Sequence, residues 1–84
     1  MTTSTQNTLG RVLAFLDQLE KSRIAYSLKH VRDTLMVVIS VPGERWEVEF
    51  FEDGEIEIER FMSQGVDGID EEQLYKLIAE QLED

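Results

Sequence analysis

An α+β fold is expected for this chain, in the order α-β-β-β-β-α: a four-stranded antiparallel meander with two helices packed on one face. Apolar residues recur at helical spacing near both ends, and they alternate with polar residues through the middle. The alternating runs are separated by breaks of hairpin length. The 84 residues make a single domain, 1–84, in which residues 1–7 are expected to be flexible. A chain of this size buries only about 60% of the surface its unfolded form exposes, so its stability is modest.

The first helix is expected from Thr8 to Ser22. Leu9, Val12, Leu13, Leu16 and Leu19, widened by Phe15, give it one apolar face to bury. Strand-like runs follow at Ile24–Val31, Leu35–Val41, Arg45–Phe51 and Ile56–Phe61. Met62–Ile69 carries Gly65 and Gly68 and reads as a linker. The second helix has the stronger start signal. Asp70 caps it, Gln73 stands at the capping-box position, and Ile69 and Leu74 are spaced as a hydrophobic staple. Asp70, Glu71 and Glu72 crowd its positive end, and Leu74, Leu77, Ile78 and Leu82 form its buried stripe.

Residues opposite each other in a ladder share a face, so a slip of one residue is visible as apolar set against acid. A two-residue Asp53-Gly54 loop would place Val48 opposite Glu59. A three-residue loop, Glu52-Asp53-Gly54, pairs Phe50 with Ile56 and Val48 with Ile58, and Gly54 takes the left-handed position of a G1 bulge. At Pro42-Gly43 the same test pairs Ile39 with Trp46, Val37 with Val48 and Leu35 with Phe50. Pro-Gly favours a type II turn, whose twist suits hairpins poorly, so a wider loop is the more comfortable geometry. At Arg32-Asp33, Leu28 meets Val37 and Tyr26 meets Ile39. One buried face results: Tyr26, Leu28, Leu35, Val37, Ile39, Trp46, Val48, Phe50, Ile56 and Ile58.

The net charge is −10 and unevenly spread. Residues 1–43 hold five basic and three acidic side chains, whereas residues 44–84 hold three basic and fifteen acidic ones. Such a surface disfavours nucleic acid and anionic membranes, which need clustered Lys and Arg, and complements a basic protein partner. The N-terminus has neither a basic nor an apolar signal region, and no apolar run approaches the roughly 20 residues that span a bilayer. A cytoplasmic location is the expectation.

The second face of the sheet is the unusual one. It carries Ser27 and Lys29, then Met36, Val38 and Ser40, then Arg45, Glu47, Glu49 and Phe51, then Glu55, Glu57, Glu59 and Phe61. Glu49 falls opposite Glu57 and Glu47 opposite Glu59, an arrangement that destabilises a ladder and that reads here as uncompensated. Charged faces also keep sheets soluble and stop edges from pairing, which is the plainer reading. Acid beside the apolar Met36, Phe51 and Phe61 instead reads as a contact surface.

No enzyme is expected. With no cysteine there is no thiol nucleophile and no thiolate metal site, and the single histidine, His30, falls opposite Leu35 at the rim of the core. No serine sits in a nucleophile elbow, and no glycine-rich loop opens a helix. The acidic loops Glu52–Glu55 and Asp67–Glu71 offer oxygen ligands without the spacing of an EF-hand. No cofactor or metal is expected.

The segment Val41-Pro42-Gly43-Glu44-Arg45-Trp46-Glu47-Val48-Glu49-Phe50-Phe51-Glu52-Asp53-Gly54, continuing through Ile56–Phe61, resembles a family of small acidic bacterial proteins of undetermined function. The resemblance implies a bacterial origin and supplies no catalytic or binding residues. The expected function is therefore taken from the face itself: a non-enzymatic module that neutralises a basic protein. In its most concrete form this is an immunity or antitoxin-like inhibitor of a nuclease toxin. Glu47, Glu49, Glu57 and Glu59 would supply the charge and Phe51, Phe61 and Met36 the apolar anchors. The alternative is a small assembly protein that homodimerises through the same face.

Overall fold

The computed structural model describes residues 4–82, with side chains from residue 8 onward. Helix α1 (Ser4–Lys21) leads into strands β1 (Tyr26–Val31), β2 (Thr34–Val41), β3 (Glu44–Phe50), β4 (Ile56–Met62) and β5 (Gly65–Ile69), and helix α2 (Glu71–Leu82) closes the chain. The strands form one antiparallel sheet in sequence order. Of the segment expected to be flexible, residues 1–3 lie outside the described residues, and the helical backbone begins at Ser4.

The sheet has five strands, not four. Met62–Ile69 is not a linker: a turn at Ser63-Gln64 returns the chain, and Met62 pairs with Gly65, Phe61 with Val66 and Ile58 with Ile69. Two glycines and an aspartate give this segment little strand propensity of its own. The free edge of β4 supplies what the segment lacks, a row of backbone partners that would otherwise have none within the chain.

The expected register holds in all three earlier hairpins. Tyr26 faces Ile39, Ile39 faces Trp46, and Val48 faces Ile58. The loop after β3 spans Glu52-Asp53-Gly54, closed by Gly54 N–H donating to Phe51 O (3.0 Å) and Phe51 N–H to Glu55 O (2.9 Å). Gly54 has φ +95°, the left-handed backbone that this bulge requires. The Pro42-Gly43 loop is the narrow one, not the wider alternative. Val41 pairs directly with Glu44, and Gly43 at φ +80° completes a type II turn.

Both helices lie on one face. Val12, Phe15 and Leu19 from α1 and Leu74 and Ile78 from α2 are buried with Val37, Ile39, Trp46, Val48, Phe50 and Ile58. The Phe15 ring lies 5.8 Å from Phe50 below it and 6.3 Å from Tyr75 on α2 beside it. Arg11 ties three elements together. Its guanidinium donates to Gly54 O and to Glu71 Oε2, each at 2.9 Å, so the β3–β4 hairpin is pinned between α1 and the first turn of α2.

The helix ends follow their caps. Asp70 Oδ1 accepts from Gln73 N–H (2.8 Å), and Gln73 Oε1 accepts from Asp70 N–H (3.0 Å), which is the expected capping box. Helix α1 ends in a Schellman motif: Ile24 N–H donates to Leu19 O and Arg23 N–H to Glu20 O. Arg23 therefore occupies a left-handed position, φ 59°, where glycine is the usual residue.

Candidate functional site

The helix-free face is organised in rows that run across the strands. Lys29, Met36, Glu49 and Glu57 make one row; Ser27, Val38, Glu47, Glu59 and Gly68 the next; Ser40, Arg45, Phe61 and Val66 a third. Neighbouring strands stand about 4.8 Å apart, so each facing pair of glutamates is held at close range by the backbone. Glu47, Glu49, Glu57, Glu59 and Met36 together line one shallow depression of about 150 Å³. Five of the seven residues expected at the site are thus brought together.

The two aromatic residues are not. Phe61 pairs with Arg45 at one end of the β3–β4 ladder, whereas Phe51 borders the hairpin loop at the other. Roughly 20 Å of strand separates them, at about 3.4 Å per residue. They flank the carboxylates instead of forming one apolar anchor with Met36.

The charges are also less bare than the sequence reading held. Arg45 Nε lies 3.3 Å from Glu47 Oε2, and the Arg45 guanidinium stacks 4.4 Å from the centroid of the Phe61 ring. The Thr34 hydroxyl, buried at the start of β2, lies 2.6 Å from Glu49 Oε2 and 2.8 Å from Val31 O. Glu47 and Glu49 are therefore partly shielded and held in place. Glu57 and Glu59 are exposed and have no hydrogen-bond or ion-pair partner among the described residues. Gly68, the neighbour of Glu59 on β5, contributes no side chain to cover it. The face thus grades from two anchored carboxylates on β3 to two open ones on β4.

Thr34 and the pairing of Arg45 escaped the sequence reading. Arg45 carried a signal, since it stands two residues before Glu47 on one strand face. Thr34 carried none, because its contact with Glu49 depends on the exact end of β2.

A second polar cluster, also missed, lies on the helix side of the sheet. Glu44 accepts from Arg60 through both oxygens (2.7 and 2.8 Å) and from the indole N–H of the fully buried Trp46 (2.8 Å). The Arg60 guanidinium, helped by the indole donor and opposed by burial, holds the Glu44 carboxyl below its ordinary range. This cluster satisfies the core tryptophan and closes one end of the core. Glu44 is engaged at once by Arg60 and by the buried indole, which gives the cluster a structural role.

His30 is exposed on β1 opposite Leu35, at the margin of the core. Among the described residues no group of three or more His, Asp or Glu side chains is arranged to hold a metal ion, and no helix is long and apolar enough to cross a membrane. No protein-family model matches this chain, and no curated protein or solved structure is significantly similar to it.

Proposed function

We propose that the protein is a non-enzymatic binding module whose helix-free sheet face neutralises a basic protein. The observation that carries this reading is the depression lined by Glu47, Glu49, Glu57, Glu59 and Met36, in which two carboxylates have no partner among the described residues. A sheet holds these groups at fixed spacing, so a partner's Lys and Arg side chains meet charge that needs no rearrangement. Such an arrangement favours fast, steered association that weakens with salt. An array of carboxylates with phosphate-like charge suits an inhibitor of a phosphate-binding enzyme, and an immunity-like role against a nuclease toxin is the concrete form of the proposal. Phe51 and Phe61 stand at the two ends of the patch, where they would contact the rim of the partner's basic site.

Capture from a lysate of the native host tests it. Wild-type protein is compared with a variant carrying Glu47→Gln, Glu49→Gln, Glu57→Gln and Glu59→Gln. A basic protein retained by the wild type and lost by the variant is the expected result. Identical retention by both baits would remove the carboxylates from the function.

A further inference from the structure

Helix α1 buries less of its apolar face than its sequence supplies. Val12, Phe15 and Leu19 point into the core, yet Leu9 and Leu13 are 60% and 57% exposed. The geometry of the helix says which way they face. Arg11 reaches Glu71 on α2, and Glu20 accepts from the Tyr26 hydroxyl on β1 (2.5 Å). Leu9, Leu13, Leu16 and Glu20 follow one another at helical spacing, so this flank looks toward β1. On β1 itself Leu28 belongs to the helix side of the sheet and remains 47% exposed. An uncovered leucine strip therefore runs beside an edge strand.

The backbone of that edge is also open, in a definite pattern. Ser40 N–H donates to Ala25 O, which makes Ala25 and Ser40 a hydrogen-bonded pair of the β1–β2 ladder. Hydrogen-bonded and non-hydrogen-bonded pairs alternate along an antiparallel ladder. Ser27 and Lys29 then bond to β2, while the N–H and C=O groups of Tyr26, Leu28 and His30 point outward. Those three residues are the ones whose side chains lie on the helix side.

We infer that β1 pairs with β1 of a second copy, antiparallel about a two-fold axis at Leu28, with the α1 leucines of both copies closing over the joint. In this register Leu28 meets Leu28 of the second copy and Tyr26 meets its His30. Each is a pair whose outward backbone groups bond to one another. On the opposite face Ser27 meets Lys29. Shifting the register by one pair on one side would set Lys29 against Lys29, and like charges directly opposite are unfavourable. A slip by a single residue would set Leu28 against Lys29 and mix the faces.

Charge selects the same side. Two chains of net charge −10 repel, and the acids concentrate on β3, β4, the hairpin tip and α2. The β1 side, where Lys21, Lys29 and Arg32 stand with Glu20 and Asp33, is far less acidic than β3, β4, the hairpin tip or α2. The other edge, β5, is short, exposed along most of its length and carries Asp67 between glycines, as edges that resist pairing do. Because the axis is perpendicular to the sheet, both helix-free faces stay on one side, and the dimer presents two acidic depressions together.

Sedimentation equilibrium at micromolar concentration, with one engineered thiol, tests the pairing. The wild type should show about twice the 9.7 kDa chain mass. Leu13→Asp, a change at an exposed position, should return it to the single-chain mass with an unaltered circular dichroism spectrum. The chain has no cysteine, so Leu28→Cys introduces one thiol. The register places the two copies of this residue about 5.5 Å apart between Cα atoms, within disulfide range. Oxidation should then give a covalent dimer. His30→Cys should not, since its two copies lie roughly 13 Å apart along the strands. A wild-type chain that sediments as a monomer would overturn the inference. So would a dimer that survives Leu13→Asp, or one cross-linked through His30→Cys and not Leu28→Cys.

Discussion

At the scale of the residue, the most instructive group is Glu44. It holds Arg60 with two hydrogen bonds and accepts the buried Trp46 N–H, and both partners of the ion pair are less than a third exposed. Charge-assisted bonds of this kind contribute about 1.5–3 kcal/mol, so Glu44→Gln is expected to destabilise the protein by about 2 kcal/mol in chemical denaturation. The pH dependence has a definite sign. With its folded pKa depressed by Arg60, Glu44 contributes its full stabilisation above the unfolded carboxyl value and loses it as pH falls through the folded one. The wild-type melting temperature should therefore decline more steeply below about pH 4 than that of Glu44→Gln. The cluster was partly legible in the sequence. The three-residue loop already sets Arg60 opposite Trp46, and a cation at a core-facing position requires an acid. Its partner, Glu44, lies one residue before the expected start of β3, and strand ends are where pattern reading is weakest.

At the scale of the element, the turns carry the specificity. Gly54 has open space where a Cβ would go, so Gly54→Ala isolates the effect of its φ of +95°. That change is expected to cost about 1 kcal/mol by thermal or urea unfolding. Arg23 presents the reverse case, a bulky residue at the left-handed end of α1. Arg23→Gly should stabilise by about 0.5 kcal/mol, the relief of backbone strain being offset in part by the freedom glycine has when unfolded. The hairpin registers were readable because apolar and acidic residues alternate so strictly that a slip of one residue is costly. Strand β5 was not, since Gly65, Asp67 and Gly68 disguise it and its existence depends on the pairing needs of β4. The exposed leucines of α1 were misread for a related reason. Periodicity shows which residues share a face, and it does not show how wide a face the sheet can cover.

At the scale of the whole molecule, charge is divided unevenly between the two halves of the chain. The acids of β3 and β4 oppose one another across the helix-free face, and among the described residues Glu57 has no partner to offset the repulsion. Glu57→Gln is expected to stabilise the free protein by about 0.5 kcal/mol, a rise of roughly 2–4 °C in melting temperature, while weakening partner capture. A residue that lowers stability and supports binding is what a functional face predicts, and a purely solubilising one does not. The positions of the four glutamates were legible from alternation and register alone. Their unequal shielding was not, because it rests on side chains, Thr34 and Arg45, that reach along or across strands. The most direct measurement is an amide-resolved NMR titration of the protein with a short Arg- and Lys-rich peptide. Shifts should concentrate at residues 47, 49, 57 and 59 and at Met36, and glutamine at the four acidic positions should abolish them. Shifts spread over every exposed carboxylate, including those of α2 and the hairpin loop, would contradict it.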